Sequence, residues 1–523
     1  MSGSDKTLSD LIVAMQYLNS RPLYEMWMPA IKSRDVRKAK SLTPEQTQQL
    51  LESKHVEPLP PGAQKRGTFH CFLVDEPKRL RIVEHTAAAN DHLPAAPSVT
   101  FTSLSELMQI VHSGQFAAHV DFAAYYQQFP LGENVRDFFT AKMPVRAPDG
   151  SVSWETFQLC VGPTGMAHMV YVACATTARV TDFVTSGGRD TYIDNILFTA
   201  DSREALVADL TVFKERCAAC SITVNEDMND LPSLISRTTT YRGITFDMTE
   251  KTACLSDKTV NKIKLSLSLI DSWTYRGFAA HLGLLFYSMQ IIEIPVHSFF
   301  NLLRFVSHVG RIMQEAQDAR WDEQVEIWQS ARVQLEAWTE IAIRNEPRVI
   351  QKKRDADVLV LVDACRTGCG YVAVDLRSNE VFYHSETWSA EFTRQHGEEK
   401  LQRSVFTEPH GMLVMKRHLL QRLRDVPTSF LVGTDNVTAK AVFRRGYASR
   451  SFDLNCVASL DRSCVDRRHQ WEYVHIPGKL NVLADALSRG AASLTSEEVL
   501  GVPVSLRRLL GVLPGGSSSG VGA

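Results

Sequence analysis

The sequence predicts a mixed α/β (α+β) chain, and three observations predict it. From Thr68 to about Asp247, short β-rich runs alternate with helical stretches. From about Ser256 to Glu346 the pattern is helical and rich in Leu, Phe and Trp, including Trp321, Trp328 and Trp338. From Val358 a second α/β pattern opens on VLVLVD (358–363), an apolar run that reads as a buried strand ending on an acid. The length of 523 residues fits roughly three to four domain-sized units. The expected divisions are a helical extension over 1–60, an α/β unit over 61–255, helices over 256–350, a second α/β unit over 351–490 and a tail over 491–523.

In chain order, TPEQTQQLLES predicts a helix capped by Thr43 with Pro44 at its first position. EPLPPG then interrupts the chain. TYIDNILFT, apolar on both sides of Asp194–Asn195, reads as strand, tight turn, strand with the polar pair at the turn. GPTG (162–165) is a loop that opens the helix MAHMVYVACATTARV. In the second α/β unit, GYVAV and VFYH continue an antiparallel sheet, and Gly368 and Gly370 permit a tight turn after Asp363. Glu408 begins a helix with Pro409 in its first turn. SFLVGTD and WEYVHI are further strands, and the tail, ending LPGGSSSGVGA, is largely disordered.

A hydrophobic fraction of 44% and a charged fraction of 22% are those of a chain able to bury a core. The 57 basic and 59 acidic residues give a formal charge of -2, which excludes a basic-tail nucleic-acid binder. A local groove remains open to it: Gln351 to Arg489 carries 21 Lys/Arg against 17 Asp/Glu. Ten cysteines form no paired framework, and the lone Cys217/Cys220 and Cys365/Cys369 pairs lack the second half of a zinc site, so reduced thiols are expected. MSGSDKTLSDL has no apolar signal core, and no apolar run reaches about 18 residues. A soluble intracellular protein of the cytoplasm or nucleus, with no membrane partner, is the expectation.

Two sets of acids stand in contexts that suit phosphoryl chemistry. The first is Asp121 in HVDFAAYYQQFPL with Asp194 in YIDNILF; the second is Asp363, Glu408, Asp435 and Asp485. Paired Mg²⁺ ions need clustered acidic oxygens, because hard cations take oxygen ligands and promote in-line displacement at phosphorus. Singly, each acid reads more readily as a turn residue, cap or solvated charge; the force lies in the set. Lys78, Arg79 and Arg81 are placed to meet a triphosphate, and Tyr126 to face the sugar of a nucleotide. One set that builds phosphodiesters and one that cuts them would make a polymerase joined to a nuclease.

The first set of motifs resembles the palm of a reverse transcriptase. DFAAYYQQFPL resembles the family's first aspartate motif, with Tyr126 at the steric-gate position and the Phe122 carbonyl as a further metal ligand. FQLCVGPTGM, with Gly165, resembles the loop beside nucleotide and template. YIDN resembles the YxDD box, YRGITFD (241–247) the primer-gripping hairpin, and RIVEHTAAAN (81–90) implies Arg81 as the triphosphate contact. Two departures stand out. Asn195 replaces the second box aspartate, offering a neutral carbonyl oxygen instead of a charge, and Met228 occupies the usual place of a lysine.

The second set resembles the RNase H family, whose Asp-Glu-Asp-Asp quartet corresponds to Asp363, Glu408, Asp435 and Asp485. His475, ten residues before Asp485, matches the family's mobile histidine. TDNVTAKAVFRRG and HIPGKLNVLADALSR look most like tyrosine-recombinase retroelements of the DIRS and VIPER types. The resemblance implies a right-hand polymerase, with fingers and palm over 61–255 and a thumb and connection over 256–350, followed by an RNase H domain over 351–490. It further implies two Mg²⁺ per site (Mn²⁺ as substitute) and RNA template, DNA primer, RNA:DNA hybrid and deoxynucleoside triphosphates as partners. The rivals are a nuclease with a decayed palm and a catalytically silent nucleic-acid-binding remnant.

Overall fold

A computed structural model describes residues 3–27, 40–76, 79–86, 90, 93–316, 320–448, 451–463, 468–490 and 494–511. It is mixed α/β and divides into two compact units, the first being Met1–Ser256 with Val349–Gln351 and the second Asp257–Arg348 with the chain from Lys352 onward.

In the first unit, Thr43 caps the helix Pro44–Glu52 in a full capping box: its hydroxyl accepts from Gln46 N–H while the Gln46 side chain accepts from Thr43 N–H. Two sheets carry the unit. One places Lys40–Ser41, Thr68–Glu76, Thr140–Arg146, Val152–Leu159 and Val56–Pro58 in that order, with Arg79–His85 also on Thr68–Glu76. The other is antiparallel, ordered Ile235–Ser236, Phe116–Asp121, Asn195–Ala200, Gly188–Tyr192. Ala117, Ala118 and Val120 are buried on the inner strand Phe116–Asp121, and Ile196 to Phe198 on its partner. The helices Ala167–Val180 and Arg203–Ala219 pack over them through Val172, Leu210 and Phe213. A small meander follows, in which Arg242 (φ 50°) and Gly243 (φ 76°) join Thr238–Tyr241 to Ile244–Asp247. Positive φ at both central residues is the hairpin geometry whose twist suits paired strands.

In the second unit, helices Asp257–Leu267, Tyr275–Ser288, Phe300–Glu315 and Gln329–Arg344 pack around Trp338, Phe278 and Leu335. A five-stranded sheet has the order Glu380–Thr387, Gly368–Asp375, Val358–Ala364, Ser429–Thr434, Gln470–His475. Its first three strands are antiparallel and its last two join in parallel. Every residue of Val358–Ala364 is buried, because apolar layers cover both faces. The helix Phe452–Ser463 meets the helical layer where Asn455 Nδ2 donates to the His297 carbonyl at 2.6 Å.

Four expectations are corrected. Gly368 and Gly370 lie within a strand and make no turn; they are needed for close approach. A Cβ on Gly370 would sit 2.5 Å from Leu487 Cβ, and one on Gly368 2.2 Å from the Glu386 carbonyl oxygen. The Glu408 helix runs Ser404–Arg422, so Pro409 is interior and forfeits one backbone bond within a buried, well-packed helix. Asn195 begins a strand and lies outside the turn, which consists of Ile193–Asp194 alone. The tail is not largely disordered within its described part: Ser496–Leu509 is helical, with a capping box at Thr495 and Val502 and Leu506 fully buried against the sheet. The stretch 512–523, with all of LPGGSSSGVGA, lies outside the described residues.

Two candidate carboxylate sites

In the first unit, antiparallel register sets Asp121 opposite Asn195, and Tyr192 opposite Asn195 from the other side. The two-residue turn between those strands therefore carries Asp194 to the end of Phe116–Asp121, where Phe122 N–H donates to the Asp194 carbonyl at 3.0 Å. Ile193 has φ 58°, a strained setting for a β-branched residue. The Thr177 hydroxyl holds it by donating to the Ile193 carbonyl at 2.7 Å. Ala124, at φ 43°, turns the chain just beyond Phe122.

Asp121 is held from a distant segment. Its N–H donates to Glu226 Oε2 and its Oδ2 accepts from Asn225 Nδ2, both at 2.9 Å, while Oδ1 is buried without a hydrogen-bond partner. Burial, then the negative charge of Asp194 and more weakly that of Glu226, raises the Asp121 carboxyl to about 6 against the Asn225 hydrogen bond. Asn195 spends both ends of its amide: Nδ2 donates to Asp194 Oδ1 at 2.9 Å, and Oδ1 lies 2.9 Å from His119 Nε2. It orients Asp194 and pairs with the imidazole, so its oxygen is not the free one expected from sequence.

A cavity of about 380 Å³ opens here, lined by Asp121, Asp194, Asn225, Tyr126 and Thr164, with His55 from the N-terminal side. Gly165 lies just past Thr164. A Cβ on it would meet the Glu84 carbonyl oxygen at 2.5 Å, and Asn90 bridges its carbonyl and Ala167 N–H, capping the following helix. Phe122 is buried, with its carbonyl near Asn225 Nδ2 at 3.5 Å, and Met228 packs against the core. Arg81 is placed by backbone opposite Val74 on Arg79–His85, while Lys78 lies outside the described residues. Sequence reasoning missed Glu226, Asn225 and His119; the only signal for the first two was a polar NED run beside a strand, 104 residues from its target.

In the second unit, Asp363, Glu408 and Asp435 bring carboxylate oxygens within 4.8 Å of one another. Asp363 projects from the central strand, Glu408 from the buried helix and Asp435 just past Thr434. Glu408 Oε2 is buried without a partner. Burial, then the charges of Asp363 and Asp435, pushes its carboxyl up to about 9. Burial also raises Asp363, opposed by the Ser488 hydroxyl, which donates to Oδ2 at 2.5 Å. Asp485 is outside this trio and is turned into an ion pair with Arg489 one helical turn on, at 2.8 Å. His475 Nε2 lies 3.1 Å from the Asp435 carbonyl, exposed at the strand end. Gly478 clears Asp435, since a Cβ there would come 2.9 Å from Oδ2. Ser488 and Gly478 were also invisible in the sequence, being set by packing across the sheet.

An uncompensated carboxylate oxygen in a buried acid cluster is the chemistry of a cation site. Asp121 with Asp194, and Asp363 with Glu408 and Asp435, therefore fit divalent metal. The fold and these sites define a two-unit α/β protein with an acidic centre in each unit. No protein-family profile matches the chain, and no curated protein does. Solved structures are similar at low identity. A foamy viral protease–reverse transcriptase (dRH) in complex with double-stranded DNA aligns with TM-score 0.47 and 13% identity, over 91% of this chain and 79% of that one. A foamy viral protease–reverse transcriptase with double-stranded DNA gives 0.46 and 13%, over 85% of each. The form with an RNA/DNA hybrid gives 0.46 and 12%, over 95% of this chain but 63% of that one. Among the described residues no helix is long and apolar enough to cross a membrane.

Proposed function

We propose that the chain is an RNA-directed DNA polymerase joined to a ribonuclease H, from a retroelement of the kind its motifs resemble. The observation that carries this is the pairing, in one chain, of two acid clusters that each hold a buried carboxylate oxygen lacking any partner. In the first, Asp121 and Asp194 with the Phe122 carbonyl would hold Mg²⁺; in the second, Asp363, Glu408 and Asp435 would, with Asp485 released from Arg489. Such ions lower the pKa of a bound hydroxyl or water and stabilise charge on the oxygens of a transferring phosphoryl group.

The protein groups act around that chemistry. Asn195 and Asn225 fix the rotamers of Asp194 and Asp121, and Tyr126 lines the cavity where a deoxynucleoside triphosphate would lie, screening its 2′ position. Ser488 aligns Asp363, and exposed His475 would exchange a proton with, or help release, the cleaved strand. Hybrid recognition would rest on backbone shape and 2′-hydroxyls, with little reading of base edges.

The test uses one preparation given a primed RNA template and a labelled RNA:DNA hybrid with Mg²⁺. Asp121→Asn is expected to abolish extension and spare cleavage, and Asp435→Asn to do the reverse. Extension persisting in Asp121→Asn removes the polymerase assignment; full cleavage in Asp435→Asn removes the nuclease. Asn195 in place of a second box carboxylate, with its amide engaged by His119 and Asp194, favours one alternative: a nuclease whose palm no longer polymerises. Extension by the wild type decides against it.

A further inference from the structure

His384 and Glu386 are alternate residues on the strand Glu380–Thr387, so their side chains leave the same face. His418 reaches that face from the helix Ser404–Arg422. Glu386 Oε2 lies 3.4 Å from His384 Nε2 and 3.8 Å from His418 Nε2, and all three ligating atoms fall within 4.8 Å of one another. The imidazoles meet edge to face with centroids 4.2 Å apart. Two imidazoles and a carboxylate converging from a strand and a helix are the donor types of a transition-metal site.

We propose that His384, Glu386 and His418 form a binding site for a transition-metal ion of the zinc type, separate from the acidic centres. Tetrahedral Zn²⁺ with bonds of about 2.0–2.1 Å sets its ligands roughly 3.3–3.4 Å apart, close to the two spacings found. Nitrogen-rich donors prefer such ions, whereas Mg²⁺ requires oxygens, so the nuclease and this site select different metals. Side-chain exposures of 39%, 45% and 32% leave room for water or an outside group as fourth ligand. The nearby cation, Arg422, is paired with Glu380 and stacked 4.7 Å over Phe382, so its charge is already compensated. Bound metal would clip this outermost strand to the helix that carries Glu408, ten residues and about 15 Å along the same helix. The inference stands whether or not the chain has nuclease activity.

The test is equilibrium metal content of the full chain after chelator stripping and dialysis against Zn²⁺, with Co²⁺ absorption as a second readout. His384→Gln and His418→Gln are each expected to bind one Zn²⁺ fewer than wild type and to lose the intense visible bands of tetrahedral Co²⁺. Glu386→Gln should weaken Zn²⁺ at least tenfold, while His70→Gln, at an exposed histidine of the first unit, keeps full stoichiometry. Cysteine-bound metal is common to all variants and subtracts out. Should His418→Gln unfold, exposed His384 on the edge strand provides the same comparison. Equal zinc in wild type, His384→Gln and His418→Gln, or an equal loss in His70→Gln, overturns the proposal.

Discussion

Replacing Glu408 by Gln should stabilise the second unit when no divalent ion is present, a reversal of what loss of a buried acid usually does. Glu408 is 4% exposed, and its carboxyl is pushed from 4.5 up to about 9 by burial and by Asp363 and Asp435. The folded state thus binds a proton that the unfolded chain has released at pH 7. With the folded value above the unfolded one, stability is fully present below pH 4.5 and declines as pH rises towards 9. At pH 7 the accumulated penalty is about 3 kcal/mol, from 1.36 kcal/mol for each unit between 4.5 and 7. Glu408→Gln keeps the shape and removes the titration. In chelator it should exceed wild type by up to about 3 kcal/mol at neutral pH, with no gain at pH 4.5. Saturating Mg²⁺ should restore wild type but do little for the variant, since the ion supplies the charge that the orphaned oxygen lacks. Urea unfolding read through hydrogen exchange in Val358–Ala364 isolates this unit. A variant less stable than wild type in chelator, or a difference that does not change with pH, refutes the reasoning.

Asn195→Asp should exchange a hydrogen bond to Asp194 for a third carboxylate. Without divalent ions it should lower first-unit stability by about 1–2 kcal/mol, and with Mg²⁺ raise both metal affinity and primer extension; unchanged melting in chelator contradicts this. Lys416 and Asp461 form a salt bridge with side chains 4% and 6% exposed. Lys416→Met alone should cost about 3–5 kcal/mol, and adding Asp461→Leu should recover most of it in a double-mutant cycle; a double variant costing the sum of the two single variants would mean no coupling. Burial pushes His281 down to about 4, below its unfolded value of 6.5. Its folded value being the lower, stability is lost as pH falls from 6.5 to 4, by up to about 3 kcal/mol. His281→Gln should flatten that acid limb in thermal scans, and an unchanged limb would assign the loss elsewhere.

Local chemistry was readable where it is local. The Thr43 cap and the buried VLVLVD strand follow from adjacent residues, the hairpin at Arg242–Gly243 is expected only from the motif resemblance, and the short turn at Asp194 brings it to Asp121 once the strands pair. Other features depend on partners remote in sequence. Glu226 joins Asp121 through a backbone bond from a loop with no periodicity of its own, and Gly370 reads as a turn residue until Leu487 is seen lying on it. Asp485 looks like a member of the acid set, yet Arg489 one turn away competes for it. Gly501 and Pro503 disguised the last helix, although Val499, Val502 and Leu506 keep its apolar stripe.

That last helix has a consequence for biosynthesis. On one face, Leu359, Leu361, Val372 and Val374 pack in a cluster with Ile476, Ala484, Leu487, Leu494, Val502 and Leu506. A nascent or prematurely terminated polypeptide ending near residue 475 would leave these four aliphatic side chains without most of that cover, on a nearly complete sheet. It would be sticky and, lacking Ser488, without the hydroxyl that donates to Asp363.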